Sequence, residues 1–98
     1  MNITLKIFDT LILPRNGKYI LCCVDPSLDH LSDKQVISDL NNRELYLYIG
    51  NKFIKSLRVC NVETSSSIIG KKNIYLLIDD DISSLHNIKE GYLKLVKG

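Results

Sequence analysis

The sequence has few cysteines, a nearly balanced charge and no long apolar run, and each absence narrows the possible classes of protein. Its three cysteines are an odd number. Two of them, Cys22 and Cys23, are adjacent, which is not the pattern of a secreted disulfide framework. The beginning of the chain lacks the basic and apolar segments of a signal peptide. No apolar run approaches the roughly 20 residues of a membrane-spanning helix. We therefore expect a reduced, cytoplasmic location.

The sequence motifs of common enzymes and metal sites are also missing. There is no GxxxxGK[ST] phosphate-binding loop, because Gly70-Lys71-Lys72 lacks that spacing, and this excludes a GTPase. No Cys-x-x-Cys or Cys/His spacing indicates zinc. We therefore interpret Cys22, Cys23 and Cys60 as small apolar core residues, with a meeting of Cys60 and one of the others as an alternative.

The two histidines, His30 and His86, both lie in polar segments. An acid–base pair for RNA cleavage would need them in one cleft with a cation nearby, so we prefer two solvated side chains. We expect a protein that is not an enzyme and that has no cofactor or metal.

What the sequence does contain is enough apolar material for one core. Of its 98 residues, 45% are hydrophobic, which suits a single folded domain covering residues 1–98. The formal net charge of +2 gives no overall attraction to nucleic acid or to an anionic membrane. Function must therefore be sought in local features.

Short segments of β-type alternation recur along the chain between turn signals. They cover residues 2–8, 11–13, 18–24, 44–49, 52–62, 73–78 and 91–97. Asp9-Thr10 interrupts the first alternation and predicts a bulge or a bend. Gly50-Asn51 predicts a two-residue hairpin turn, and residues 63–72 and 79–87 are expected to be loops. The pattern predicts an all-β fold, a small antiparallel barrel of six or seven strands.

Two interpretations remain open for residues 33–40. Ser32 followed by Gln35 fits a helix capping box, and Val36, Ile37 and Leu40 follow at helical spacing. The β-branched pair Val36-Ile37 equally favours a short strand from Gln35 to Ser38.

The order of these segments resembles the second domain of elongation factors of the Tu type. The matching stretches are ITLKIFDTLILPRNGKYIL (3–21), LNNRELYLY (40–48), FIKSLRV (53–59), NIYLLI (73–78) and IKEGYLKLV (88–96), the last with Gly91 at its turn. The resemblance implies a small β-barrel that stands without a GTPase domain. It also implies a link to translation, although no functional residue of that family can be assigned to this chain.

An acidic cluster gives the leading hypothesis for function. Asp79, Asp80 and Asp81 follow an apolar strand, and Asp29 and Asp33 add to the acidic side chains. Adjacent residues on a strand point to opposite sides, so we do not expect a cation site here. Loop carboxylates can imitate phosphates and occupy a basic groove. We expect a protein-binding barrel, such as an immunity protein that inhibits a nuclease toxin.

A basic segment gives the alternative hypothesis, a translation-associated module that binds RNA. Two tyrosines, Tyr46 and Tyr48, precede five basic residues, namely Lys52, Lys55, Arg58, Lys71 and Lys72. Basic side chains beside aromatic rings on a barrel are typical of single-stranded nucleic-acid binding.

Overall fold

A computed structural model describes residues 3–13, 18–85 and 88–95. Its strands are β1 (Thr4–Leu13), β2 (Lys18–Val24), β3 (Glu44–Ile49), β4 (Lys52–Ser66), β5 (Lys72–Ile78) and β6 (Gly91–Leu95), with the helix α1 (Asp33–Leu40) between β2 and β3. Short 3-10 helices cover Pro26–Leu28 and Ile88–Glu90. The predicted all-β barrel is confirmed, with six strands.

The six strands close into a barrel in the order β1-β2-β5-β4-β3-β6, and all neighbours are antiparallel. Strands β3, β4 and β5 form a meander, and β6 returns to lie beside β3, which is a Greek key. Residues Thr4–Lys6 of β1 pair with Tyr92–Lys94 of β6 and close the ring. We call this pairing the β1–β6 seam.

The core consists of the side chains that alternate inward from every strand. Fully buried examples are Leu5, Ile7, Leu21, Leu45, Leu47, Leu57, Ile74, Leu76, Ile78 and Leu93. Burial of each such side chain is worth about 1.5–3 kcal/mol. The alternation from which the strands were predicted therefore also determines which side chains lie on the outside of the barrel.

Residues 33–40 form a helix, so the strand interpretation of this segment is wrong. The Ser32 side chain accepts a hydrogen bond of 3.1 Å from the Gln35 amide and caps the first turn. Val36 and Leu40 are buried against the barrel core, and this packing outweighs the β preference of Val36-Ile37. Among the described residues, no helix has the length and apolar character needed to cross a bilayer.

Three register shifts interrupt the strand pairing, one of them between Leu47 and Tyr48 of the β3–β4 pair. The bulge predicted at Asp9 is present, since the β1–β2 register shifts between Ile7 and Asp9. A similar shift lies between Val59 and Asn61 of β4, and it explains why the two faces of that strand exchange polarity. The sequence Pro14-Arg15-Asn16-Gly17 predicts a turn, but these residues lie outside the part of the chain that the structure describes.

The loop predicted at 63–72 is wrong for half of its length. Strand β4 continues to Ser66 and β5 begins at Lys72, with pairing from Glu63–Tyr75 to Ser66–Lys72. The serine and threonine residues of this segment were interpreted as loop residues, but they lie in a β-hairpin. Backbone hydrogen bonds pair its two strands and do not require apolar side chains. The connecting turn is confined to residues 67–71.

Candidate binding surfaces

Asp79 binds two neighbours at the end of β5. Its carboxylate lies 3.3 Å from the Lys18 ammonium and accepts a hydrogen bond from the Cys60 thiol, with 3.0 Å between Sγ and Oδ2. The thiol hydrogen bond, followed by Lys18, lowers the pKa of Asp79. The same hydrogen bond raises the pKa of Cys60, so this thiol is protonated at neutral pH.

Asp80 is bonded to strand β4. One carboxylate oxygen lies 3.6 Å from the Lys55 ammonium, and the other accepts a hydrogen bond of 3.4 Å from the Arg58 amide. The Arg58 guanidinium itself donates to the Asn42 carbonyl at 3.2 Å. Two residues of the predicted basic set thus contact the predicted acidic cluster or a nearby carbonyl.

Asp81 completes the cluster. Its carboxylate accepts hydrogen bonds from the Ser83 amide at 2.9 Å and from the Tyr19 hydroxyl at 3.1 Å. The Ser83 contacts are the main reason that the pKa of Asp81 is lowered, with Tyr19 adding to them. Together the three aspartates tie the segment after β5 to β2 and β4.

The remaining predicted acidic residues, Asp29 and Asp33, meet Lys72 on another part of the barrel. Lys72 is only 4% exposed and forms an ion pair with Asp33 in the first turn of α1. Its amide donates a hydrogen bond of 3.1 Å to Asp29. The hydrogen bond from Lys72 is the main cause of the lowered pKa of Asp33. Lys72 therefore links β5 to α1, while Lys52 and Lys71 are exposed.

Tyr46 and Tyr48 belong to an aromatic cluster on the outside of the barrel. Phe53 on β4 packs edge-on against both rings, at centroid distances of 5.3 and 5.7 Å. Tyr92 on β6 stacks on Tyr48, with centroids 5.3 Å apart and planes 7° from parallel. The Lys94 ammonium lies 5.4 and 5.6 Å from the ring centroids of Tyr48 and Tyr92, within the cation–π range.

Strand pairing extends this cluster into two rows across β4, β3, β6 and β1. The rows are Phe53-Tyr48-Tyr92-Lys6 and Ser56-Tyr46-Lys94-Thr4. We call these eight residues the aromatic–lysine face. Three inter-strand spacings of about 4.8 Å make it roughly 14 Å wide. A cavity of about 280 Å³, lined by Ile3, Thr4, Lys94 and Leu95, opens at one side.

Phe53, Tyr92 and Lys94 were not predicted as site residues. Their alternation on β4 and β6 is visible in the sequence, and it places each of them on an outer face. The hairpin predicted at Gly50-Asn51 brings Phe53 beside the tyrosines, whereas Tyr92 and Lys94 reach them because β6 pairs with β3. No local sequence signal encodes that neighbour.

A second exposed feature is the turn between β4 and β5, where Ile68 and Ile69 project from the barrel. They are the most exposed large apolar side chains of the described residues, at 105% and 77% of the reference area. The turn is held by hydrogen bonds from Ser67 to the Lys71 carbonyl at 2.8 Å and from Gly70 to the Ser67 carbonyl at 3.0 Å. Gly70 adopts a φ of +83°. We call Ile68 and Ile69 the isoleucine tip.

Among the described residues, the histidine and cysteine side chains add no further site. His30 is exposed in the loop before α1, and His86 lies outside the described residues. Within the part of the chain that the structure describes, no three His, Cys, Asp or Glu side chains are grouped to hold a metal ion. Cys22 and Cys23 are buried as predicted. Cys60 is only half-buried and faces Asp79, so the prediction of a core position is wrong for this residue.

Comparisons of the chain with protein-family models, with curated proteins and with solved structures found no match. The resemblance to the second domain of Tu-type elongation factors therefore stays a prediction. Function has to be argued from the surfaces themselves.

Proposed function

We propose that the chain is a non-catalytic binding domain whose partner is another protein, contacted through the isoleucine tip. The supporting observation is the exposure of Ile68 and Ile69 on a turn fixed by backbone hydrogen bonds. Burial of each side chain in a partner's pocket gives about 1.5–3 kcal/mol. Because the turn is already ordered, little of that energy is lost to ordering it on binding.

The charges around the tip favour a protein over a lipid surface. Lys71 is exposed there, whereas the Lys72 charge is paired with Asp33. Binding to anionic membranes relies on clusters of several Lys or Arg side chains. A cavity of about 200 Å³, lined by Val24, Pro26, Asp29, Lys71, Lys72 and Asn73, adjoins Lys71 and offers a place for a side chain of the partner.

Photo-crosslinking tests this proposal. A photoreactive amino acid at position 69 should give one dominant crosslinked protein in extracts of the native host. The same probe at position 34 on the exposed side of α1 should not. The purified partner should then bind the wild-type domain, and Ile68→Ser/Ile69→Ser should weaken binding at least tenfold while leaving the melting temperature unchanged. Equal binding by both forms would contradict the proposal.

The narrower hypothesis, a nuclease toxin held by Asp79, Asp80 and Asp81, stays a prediction. In the free domain these carboxylates contact Lys18, Lys55 and neighbouring donors, so a basic groove would have to compete with those contacts. Replacing all three with asparagine keeps their shape and removes the charge. This variant should bind a basic nuclease more weakly, with a smaller salt dependence. Glu63→Gln is the matched control, and unchanged inhibition by the triple variant would refute the hypothesis.

A further inference from the structure

We infer that the aromatic–lysine face binds single-stranded nucleic acid, a second activity that does not depend on the protein contact proposed for the isoleucine tip. The face differs from the basic surface expected from the sequence. Of that set it keeps only Tyr46 and Tyr48. Lys6, Phe53, Tyr92 and Lys94 join it through strand pairing.

The rings provide stacking platforms for bases. Phe53 and Tyr46 are 49% and 36% exposed, so a base can stack on them without displacing core atoms. Their edge-on contacts with each other and with Tyr48 fix the ring orientations. Stacking on such rings tolerates any base, because every base has a flat aromatic surface. A duplex hides those surfaces, so the face favours single strands.

The lysines provide the attraction for the phosphates. Within the described residues, Lys6, Lys52 and Lys94 form no ion pair with an acidic side chain. Neither row of the face contains an acidic residue. Lys94 is held over Tyr48 and Tyr92, which places a cation next to the stacking surface. This combination of aromatic platform and electropositive border is what binding of a single strand requires.

The same composition argues against a protein partner for this face. Protein interfaces are enriched in Tyr and Phe, but their buried centres are depleted of Lys. Here the Lys94 ammonium lies 5.4 and 5.6 Å from the ring centroids of Tyr48 and Tyr92, and Lys6 is paired with Tyr92 at the end of its row. Burial of these unpaired ammonium groups against an ordinary protein surface is costly. Phosphates compensate their charge directly.

Tyrosine fluorescence measures the binding directly. The chain has no Trp and five Tyr, and three of the five, Tyr46, Tyr48 and Tyr92, lie in the face. Titration with oligo-dT or oligo-U at low ionic strength should quench the emission. Labelled oligonucleotide anisotropy should give an affinity that falls steeply with salt. A duplex of the same length should compete weakly.

Variants of exposed residues locate the site. Tyr46→Ala and Phe53→Ala should each weaken oligonucleotide binding about fivefold to a hundredfold. Lys94→Gln should reduce the slope of log affinity against log salt by about 0.7. Lys34→Gln on α1 and Ile68→Ser/Ile69→Ser are controls that should bind normally. Amide chemical shifts of the wild-type domain should change mainly on β3, β4 and β6, a readout that needs no variant.

Three results would overturn the inference. The first is absence of binding by the wild-type domain at low ionic strength. The second is a result showing that the rings do not contact bases. Either unchanged oligonucleotide binding by folded Tyr46→Ala and Phe53→Ala or equal competition by the duplex would show this. The third is loss of a protein complex or of self-association in these variants without any oligonucleotide binding, which would make the face a protein interface.

Discussion

Many of the charged residues that form a distinct pattern in the sequence contact one another in the fold. Asp79 faces Lys18, and Asp33 faces Lys72. These partners are far apart in the chain, so local charge density in the sequence says little about the charge that a surface presents. The lysines that remain available for a ligand, such as Lys6 and Lys94, lie isolated in their strands.

The paired aspartates predict an acid-sensitive fold. The pKa values of Asp9, Asp33, Asp79 and Asp81 are all lowered by hydrogen bonds or nearby lysines. A folded-state pKa below the unfolded value stabilises the fold above the unfolded pKa, and this is lost as pH falls through the folded pKa. Urea unfolding followed by circular dichroism should show nearly constant stability from about pH 7 to pH 5 and a decline below about pH 4.

The double variant Asp79→Asn/Asp81→Asn is the control for that measurement. It removes two of the titrating carboxylates, so its stability should decline less steeply below about pH 4. A wild-type domain that keeps its full stability through that range would contradict the prediction.

Lys72 and Asp33 allow a second test at the level of the residue. Asp33→Asn leaves the buried ammonium without its opposing charge, whereas Lys72→Met keeps the apolar stem and removes the charge. We expect Asp33→Asn to lower the melting temperature by several degrees and Lys72→Met to change it less. Thermal unfolding of the two variants side by side decides this. A larger decrease of the melting temperature in Lys72→Met would mean that the ion pair of the ammonium stabilises the fold by more than burial of its charge costs.

At the scale of elements, the sequence predicted those parts in which alternation and burial coincide. β3 and β5 were recognisable because buried and outward side chains alternate along them, and β2 because it is apolar on both faces. The polar hairpin formed by residues 63–66 with β5 was not recognisable, because its pairing is carried by the backbone. The helix at 33–40 was undecided because the Ser32 cap and the β-branched pair point to different structures, and burial of Val36 and Leu40 decides between them.

Gly91, at the start of β6, is the element boundary most sensitive to substitution. A Cβ there would lie 2.9 Å from the Tyr48 carbonyl oxygen and 3.0 Å from that of Ile88, both backbone atoms that cannot rotate away. Gly91→Ala should therefore destabilise the fold by about 1–3 kcal/mol. It should also disturb the Tyr48–Tyr92 stack, measured by denaturant unfolding and near-UV circular dichroism.

Gly50→Ala is the comparison for Gly91→Ala. An added Cβ at Gly50 meets nothing within 4 Å, and only its φ of +62° is unfavourable for alanine. The free energy of unfolding of this variant should be about 1 kcal/mol lower, and its near-UV circular dichroism should not change. An equal near-UV change in both variants would argue against a specific role of the Gly91 contact.

At the scale of the whole molecule, the barrel order decides what the surface can do. β3 lies between its hairpin partner β4 and the distant strand β6, and all three strands contribute rings to one face. The sequence identified Tyr46 and Tyr48 because they alternate with buried leucines. It could not supply Tyr92 and Lys94, since these depend on the pairing of β6 with β3. Assembly of the candidate site is thus a property of topology.

The closure of the barrel predicts where it opens first. Among the described residues, the β1–β6 seam pairs Thr4–Lys6 with Tyr92–Lys94 and adds one hydrogen bond from the Leu95 amide to the Ile3 carbonyl. Strand β2 is paired along most of its length on both sides. Hydrogen exchange measured by mass spectrometry should be faster in β6 and the start of β1 than in β2 and β5. Slower hydrogen exchange at the seam than in β2 would show that the barrel does not open first between β1 and β6.

The aromatic–lysine face runs across this seam, with Lys6 and Thr4 on β1 and Tyr92 and Lys94 on β6. A single-stranded nucleic acid bound across the seam would contact both β1 and β6. It could make all of these contacts only while the two strands are paired and the barrel is closed. Binding and closure would then be reciprocal by linkage. An occupied face would slow exchange at the seam, and a substitution that loosens the seam from inside the barrel would weaken the ligand without ever touching it.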